Sequence, residues 1–242
     1  MGFPIALPTA PNVFQLGPLL RGEAPAISKW VETWTLGSVW RQVVIVIAGA
    51  GAFGLAMGVW RDPLQGLYAG IKLPLIVILT AGGNAVINGM FAPLLGLNLS
   101  LKQSFAAVLT SFTLACAILG AFSPLIAFVV WNLPPMTSGG QGATPMVHEL
   151  LMVVAVAVIA FAGVTANLRL LRLLRSLGGG ETEARRILLA WLTVNLLLGS
   201  QISWVLRPFV GAPELAVRFL RPDAFNGSFF ETLFSSVEGL FS

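Results

Sequence analysis

Five long apolar segments constrain this chain more than any other feature of its sequence. They cover residues 40–60, 73–95, 104–133, 147–167 and 187–206, and nearly all charged residues lie outside them. An α-helix rises about 1.5 Å per residue, so roughly 20 residues match a hydrocarbon core about 30 Å thick. Inside that core a helix satisfies its own backbone groups. The sequence therefore predicts an all-α fold, a polytopic transmembrane helix bundle with about five spans.

The composition agrees with a membrane protein. Of the 242 residues, 56% are hydrophobic and 10% are charged, and the mean hydropathy is accordingly high at +0.86. A soluble domain usually carries about 25% charged residues, so this chain lacks the side chains to cover a water-facing surface. The net charge of +4 would suggest nucleic-acid binding in a soluble protein. Here the basic residues flank apolar segments, so we expect membrane lipids as partners and no nucleic acid.

The chain divides into three parts. Residues 1–38 are predicted to form a proline-rich segment and an interfacial helix, with Trp30 and Trp34 at headgroup depth. Residues 39–206 form the bundle. Residues 207–242 form a tail in which Ser228 and Glu231 fit a capping box before a short amphipathic helix. The fold class thus includes interfacial amphipathic helices at both ends.

Two prolines affect the predicted helices. Pro74 is expected in the first turn of the second span, where proline is tolerated. The third segment has 30 residues, which would extend about 45 Å as a straight helix. Pro124 lies inside that segment, so we expect a kink or break there. The segment forms either one kinked helix or two helices.

Small residues recur every four positions in the first span, at Ala50, Gly54 and Gly58. They share one helix face, and helices in lipid associate through such close-packing faces. The face is predicted to pack within this chain or, alternatively, in a homodimer.

Polar side chains concentrate in the second and fifth spans. Thr80, Asn84 and Asn88 repeat every four residues, and Ser200, Ser203 and Arg207 share one face of the fifth span. Such groups in a membrane face protein or water rather than lipid. They predict either hydrogen bonds between helices or a hydrophilic path for a solute. The full set is Thr80, Asn84, Asn88, Thr193, Asn195, Ser200, Gln201, Ser203 and Arg207.

Arginines are concentrated around the connection between spans four and five. They are Arg169, Arg172, Arg175, Arg185 and Arg186, whereas residues 134–145 contain no basic residue. Basic loops remain in the cytoplasm, so we expect a cytoplasmic N-terminus and a C-terminus outside. These arginines are also predicted to contact lipid headgroups. The preference for arginine over lysine favours a bacterial source and hence the bacterial inner membrane.

The sequence shows no catalytic pattern. His148 and Glu149 open the fourth span, but a zinc-protease helix would need a second histidine where Met152 stands. The chain has no phosphate-binding loop, and its single Cys116 cannot form an internal disulfide. We therefore predict that the protein is not an enzyme and uses no cofactor or catalytic metal.

The layout resembles the Yip1-domain family of five-span membrane proteins. Residues 62–68 (DPLQGLY), leading into 73–75 (LPL), look like the region before and within the second span of bacterial members. Residues 203–209 (SWVLRPF) look like the ending of uncharacterised bacterial proteins of this kind. The likeness covers about residues 40–210, without the Asp-Leu-Tyr-Gly-Pro element of eukaryotic members. It implies a non-enzymatic organiser of membranes or membrane complexes and supplies no functional residues.

Two functions are therefore considered. The first is a structural or accessory subunit that packs against other membrane proteins, or against itself, and against lipids. The alternative is a channel or transporter for a small solute or ion, using the polar side chains of spans two and five.

Overall fold

Five long α-helices make up most of the described chain. The computed structural model describes residues 35–91, 100–134, 145–176, 180–207 and 216–231. The helices, in chain order, are α1 (Leu36–Gly58), α2 (Pro63–Phe91), α3 (Leu101–Asn132), α4 (Pro145–Ser176) and α5 (Glu181–Leu206). Each is long and apolar enough to cross a membrane. The protein is therefore an all-α integral membrane protein with five spans in the described residues.

Local capping fixes where several helices begin. The Thr35 hydroxyl accepts a hydrogen bond from the Ser38 amide at 3.3 Å, and the Ser38 hydroxyl accepts one from the Thr35 amide at 3.2 Å. Ser100 and Gln103 form the same reciprocal capping box at the start of α3. Glu181 and Glu183 lie in the first turn of α5, where the helix dipole favours acidic groups.

The second span begins ten residues earlier than predicted, at Pro63 rather than residue 73. The Asp62 carboxylate accepts a hydrogen bond from the Leu64 amide at 2.7 Å and starts the helix there. Pro74 therefore lies in the helix interior, and its predicted place in the first turn is wrong. The sequence argument failed because it began the span at the first fully apolar stretch, whereas capping starts the helix earlier.

The third span is one continuous helix that passes through Pro124, so the two-helix alternative is wrong. Proline deprives the carbonyl four residues earlier of its donor, but a helix packed on both sides tolerates that loss. Beside it, the Ser123 hydroxyl donates to the Leu119 carbonyl at 3.0 Å. A bend at Pro124 stays a prediction.

The predicted interfacial helices fall largely outside the described residues. The N-terminal helix, with Trp30 and Trp34, lies entirely in the part that is not described. In the tail, helical structure is described for residues 229–231. The capping box there is confirmed: the Glu231 amide donates to the Ser228 hydroxyl at 3.2 Å, and the Ser228 amide donates to the Glu231 carboxylate at 3.0 Å.

The helices pack unevenly around two buried clusters. α1 packs extensively against α2 and α3, whereas α4 rests mainly on α3, and α5 on α2, with a smaller contact between α4 and α5. One cluster surrounds Phe53 and Met57 of α1, and the other surrounds Trp191 of α5. We call the end of the bundle where α1, α3 and α5 finish, at Gly58, Asn132 and Leu206, the exit end. There the Trp60 indole donates to the Pro134 carbonyl at 3.1 Å.

Candidate functional site

The small-residue face of α1 lies against helices of the same chain. Ala50, Gly54 and Gly58 are all buried. A methyl group added at Gly54 would lie 2.5 Å from the Ala69 carbonyl oxygen, and one at Gly58 would lie 2.7 Å from the Gln65 carbonyl oxygen. The backbones of α1 and α2 therefore approach more closely than any larger residue would allow.

A second glycine contact joins α1 to α3. A methyl group at Gly120 would lie 2.9 Å from the Cα of Gly49, and one at Gly49 would overlap the Cys116 carbonyl. The sequence argument missed this contact, because a glycine pair on two separate helices has no spacing signature. α1 is thus held by glycine faces on two sides.

The side-chain amides of Asn84 and Asn88 in α2 form hydrogen bonds with each other and with α5. Asn84 and Asn88 are 0% and 1% exposed. The Asn88 side-chain amide donates to the Asn84 side-chain oxygen, and the Asn84 amide donates to the Asn195 oxygen. Three of the predicted polar residues therefore form one network linking α2 to α5. Buried amides need hydrogen-bond partners in place of water, and here each amide provides a partner for another.

A small cavity with both polar and apolar lining residues adjoins this network. Its volume is about 70 Å³, and a cavity needs about 10–15 Å³ to hold one water molecule. Four helices contribute to its wall, and the Trp191 indole N–H there has no hydrogen-bond partner among the described residues. Its polar lining residues are Asn84, Ser111, Asn167, Trp191 and Asn195. The cavity can therefore accommodate water or a comparably small polar molecule.

The other predicted polar residues do not join the amide network. The hydroxyls of Thr193 and Ser200 donate to carbonyls of their own helix, at 3.0 and 3.3 Å. The Gln201 side-chain oxygen accepts a hydrogen bond from the Phe229 amide of the tail at 3.2 Å. The Thr80 hydroxyl is buried with no hydrogen-bond partner in the described part of the chain, and Ser203 is partly exposed.

Arg207 does not extend the polar face of α5. It is the residue after the last helical turn and adopts a left-handed conformation with φ of 41°. Its guanidinium stacks on the Trp204 ring with 4.5 Å between the guanidinium carbon and the ring centroid. A cation at a helix C-terminus interacts favourably with the helix dipole. Arg207 therefore belongs to the exit end rather than to the mid-membrane polar set.

The predicted headgroup arginines surround the connection between α4 and α5, at the end opposite the exit end. Arg175 pairs with Glu181 at 3.0 Å, and Glu181 also pairs with Arg185. Arg172 and Arg186 are exposed, and Arg169 is partly exposed. The positions suit contact with headgroups, which stays a prediction.

Arg207 and four basic residues outside the predicted set form a basic cleft at the exit end. The cleft is lined by Arg61, Lys72, Arg207, Arg218 and Arg221. In the sequence, Arg207 fits the polar face of the fifth span, and no spacing pattern there groups it with Arg218 and Arg221. A signal was present, however, because alternating spans carry residues 61, 72 and 207–221 to the same end of the bundle.

His148 and Glu149 are the pair of polar residues at the start of α4. Glu149 is exposed, and the His148 side chain lies outside the described residues. Among the described residues, no three His, Cys, Asp or Glu side chains come together as they would around a metal ion. The absence of enzymatic activity and of a cofactor stays a prediction.

No family model, curated protein or solved structure matches this chain. The resemblance to the Yip1-domain family therefore stays a prediction that rests on residues 62–75 and 203–209 alone.

Proposed function

We propose that this protein is a non-enzymatic structural or accessory subunit that packs against another membrane protein, or a second copy of itself, through α5. The observation that carries this proposal is a mismatch in α5. The most apolar stretch of this helix has a mean hydropathy of 1.5, the lowest of the five spans, yet only 11% of its residues are buried. The corresponding stretch of α2 is 44% buried with a mean hydropathy of 1.7.

The mismatch matters because lipid rewards the opposite arrangement. A helix that faces only hydrocarbon should be the most apolar one, since polar groups in lipid are costly. α5 is instead the least apolar and the least covered, and it carries Thr193 and Ser200 on partly open surface. Polar and small side chains of this kind support helix association in membranes. A partner helix on α5 accounts for both properties.

Matched tryptophan substitutions test the proposal. Leu196 on α5 and Val156 on α4 are 64% and 63% exposed. We expect native polymer extraction to yield a particle larger than one chain, with Leu196→Trp releasing the monomer and Val156→Trp leaving the particle intact. Mass photometry and native mass spectrometry would measure both. A wild-type particle that contains one chain and no other protein would overturn the proposal.

A second function is favoured by one specific observation, the small cavity of about 70 Å³ beside Asn84. A channel or transporter could use it as a binding site that widens in another conformation. Liposome flux assays distinguish this alternative: Asn84→Leu with Asn88→Leu should abolish flux while the protein still folds. Absence of flux from the unmodified protein across a panel of small solutes and ions would remove it.

The proposal also includes the membrane in which the protein lies and its orientation there. The preference for arginine over lysine supports a bacterial inner membrane. The five arginines around the connection between α4 and α5, and the absence of basic residues from 134–145, support a cytoplasmic position of that connection, whereas the basic residues of the exit end argue against it. Cysteine labelling from outside intact cells, at an added cysteine in place of Ser176, should then fail, whereas labelling in opened vesicles should succeed.

A further inference from the structure

Five basic side chains from three separate segments meet at the exit end. Arg61 precedes α2, Lys72 lies in α2, and Arg207 follows α5, whereas Arg218 and Arg221 belong to the segment after it. They line one cleft with a volume of about 20 Å³. We call it the basic cleft.

Specific contacts hold the later segment against the bundle. The Phe219 ring packs edge-on against Tyr68 of α2 with 5.4 Å between ring centroids. The Lys72 ammonium lies 5.2 Å from the centroid of the same ring, within cation–π range. Ala224 is buried, and the Phe229 amide donates to Gln201 of α5. The basic cleft is therefore a packed feature, not a chance proximity of surface arginines.

The basic cleft concentrates positive charge. Arg221 repels both Arg61 and Lys72. The pKa of the Arg61 guanidinium lies below its ordinary value, first because of burial and second because of Arg221, while Asp62 acts in the opposite direction. Asp223 is the other nearby acid among the described residues, 4.0 Å from Arg207. Among the described residues, Asp62 lies near Arg61 and Asp223 near Arg207, and the five basic groups of the cleft outnumber these two carboxylates. Positive charge concentrated in this way attracts anions.

Most of the basic cleft lies beyond helix ends, where lipid headgroups are expected, because Arg61 precedes α2 and Arg207 follows α5. α2 has 29 residues, a length of about 44 Å, which exceeds a hydrocarbon core of about 30 Å. Lys72 is nine residues into this helix, or about 14 Å from its start. Its side chain is 3% exposed, and its position fits the boundary between headgroups and hydrocarbon better than the membrane centre.

We propose that the basic cleft binds an anionic phosphate group through Arg61, Lys72, Arg207, Arg218 and Arg221. Guanidinium groups bind phosphate oxygens in pairs, and lysine adds a point charge. Basic pockets between membrane helices bind phospholipid headgroups by this chemistry. The phosphate belongs either to a phospholipid or to a free phosphate compound. This proposal does not depend on α5 as a docking surface.

Native mass spectrometry of the purified full-length protein tests the proposal. Phosphatidylglycerol, phosphatidylcholine and inorganic phosphate would be added separately to the detergent-solubilised protein. We expect phosphatidylglycerol or inorganic phosphate to bind, and Arg218→Gln with Arg221→Gln to weaken that binding about tenfold or more. Saturation by phosphatidylglycerol alone identifies a lipid headgroup, whereas displacement by millimolar inorganic phosphate identifies a free phosphate compound.

The control removes charge at the opposite end of the bundle, at a residue outside the arginines predicted to contact headgroups. Lys102→Gln changes an exposed lysine near the start of α3 and should leave binding unchanged, whereas Arg218→Gln, which also removes one charge, should weaken it. Thermal unfolding would verify that each variant is folded, and Arg218→Gln alone, at an exposed position, replaces the double variant if that one does not fold. Equal affinity of the wild type and the folded Arg218 or double variant for every probe would overturn the proposal.

Discussion

The two halves of this bundle are held together by different physics. Where α1 meets α2 and α3, glycines at positions 49, 54, 58 and 120 bring backbones into direct contact. Where α5 meets α2 and α4, the helices are joined by the Asn84–Asn195 hydrogen bond and surround a cavity of about 70 Å³. In lipid the first half gains dispersion energy from close contact between backbones, whereas the second combines the apolar cluster around Trp191 with a few polar contacts. A larger side chain should therefore lower the stability of the first half more than that of the second.

The largest effect is expected from Gly54→Leu. The first atom of the new side chain would already lie 2.5 Å from the Ala69 carbonyl oxygen, so α1 and α2 must separate. Overpacking of this kind costs about 1–3 kcal/mol and sometimes more, and we expect the upper part of that range or loss of folded protein. Unfolding in SDS measures the change. Gly82→Leu is the control, because a methyl group there meets no atom within 4 Å. Equal losses for both variants would show that close backbone contact is not what holds this half.

A smaller effect is expected from Asn84→Leu, which breaks both hydrogen bonds of the amide network. Leaving Asn88 and Asn195 without Asn84 should cost about 1–3 kcal/mol. Hydrogen exchange should increase in α5 and remain unchanged in α1. Asn132→Leu is the control, because the exposed Asn132 amide bonds only to its own helix, at Phe128. Increased exchange in α1 would contradict the separation of the two halves.

An effect of opposite sign is expected from Gly163→Ala in α4. A methyl group there meets no atom within 4 Å and points toward space that borders the cavity. Alanine also favours a helix over glycine by about 1 kcal/mol, so stability should rise by about 0.5–1 kcal/mol. Gly120→Ala, on the glycine side, should lower stability instead. Thermal unfolding in detergent distinguishes the two, and a loss at Gly163 would show that the second half is as tightly packed as the first.

The smallest effect is expected from Glu181→Gln. Glu181 pairs with both Arg175 and Arg185, but all three side chains are at least 39% exposed. Exposed ion pairs contribute about 0–1 kcal/mol, so we expect a change within about 0.5 kcal/mol in unfolding free energy. A larger loss would mean that the connection between α4 and α5, and not the amide network, orders the second half.

The sequence predicts the helices well and the contacts between them poorly. Long apolar runs reveal five spans because length and hydropathy are local properties. The capping of α2 by Asp62 is also local, but hydropathy alone does not reveal it, because the fully apolar stretch begins ten residues after the helix does. The contact of Gly49 with Gly120 and the bond of Asn84 to Asn195 join residues on different helices. Neither pairing leaves a periodic trace in the chain.

The candidate site shows the same division. The spacing of Asn84 and Asn88 predicts one polar face on α2. The structure shows that these amides form hydrogen bonds with each other and with Asn195. Arg207 fits the helical spacing of the polar face, but it lies beyond the last turn. The basic cleft requires the tail to fold back onto Tyr68, which no single residue pattern encodes.

The short link between α1 and α2 has a consequence for biogenesis. Only residues 59–62 separate the two helices, so their glycine contacts can form as soon as α2 has been synthesised. Local contacts of this kind form early, whereas distant ones wait for loop closure. Asn84 and Asn195 are 111 residues apart, and that pair must wait until nearly the whole chain has left the ribosome. Insertion as a hairpin would thus make α1 and α2 a platform on which α3, α4 and finally α5 assemble in order of synthesis.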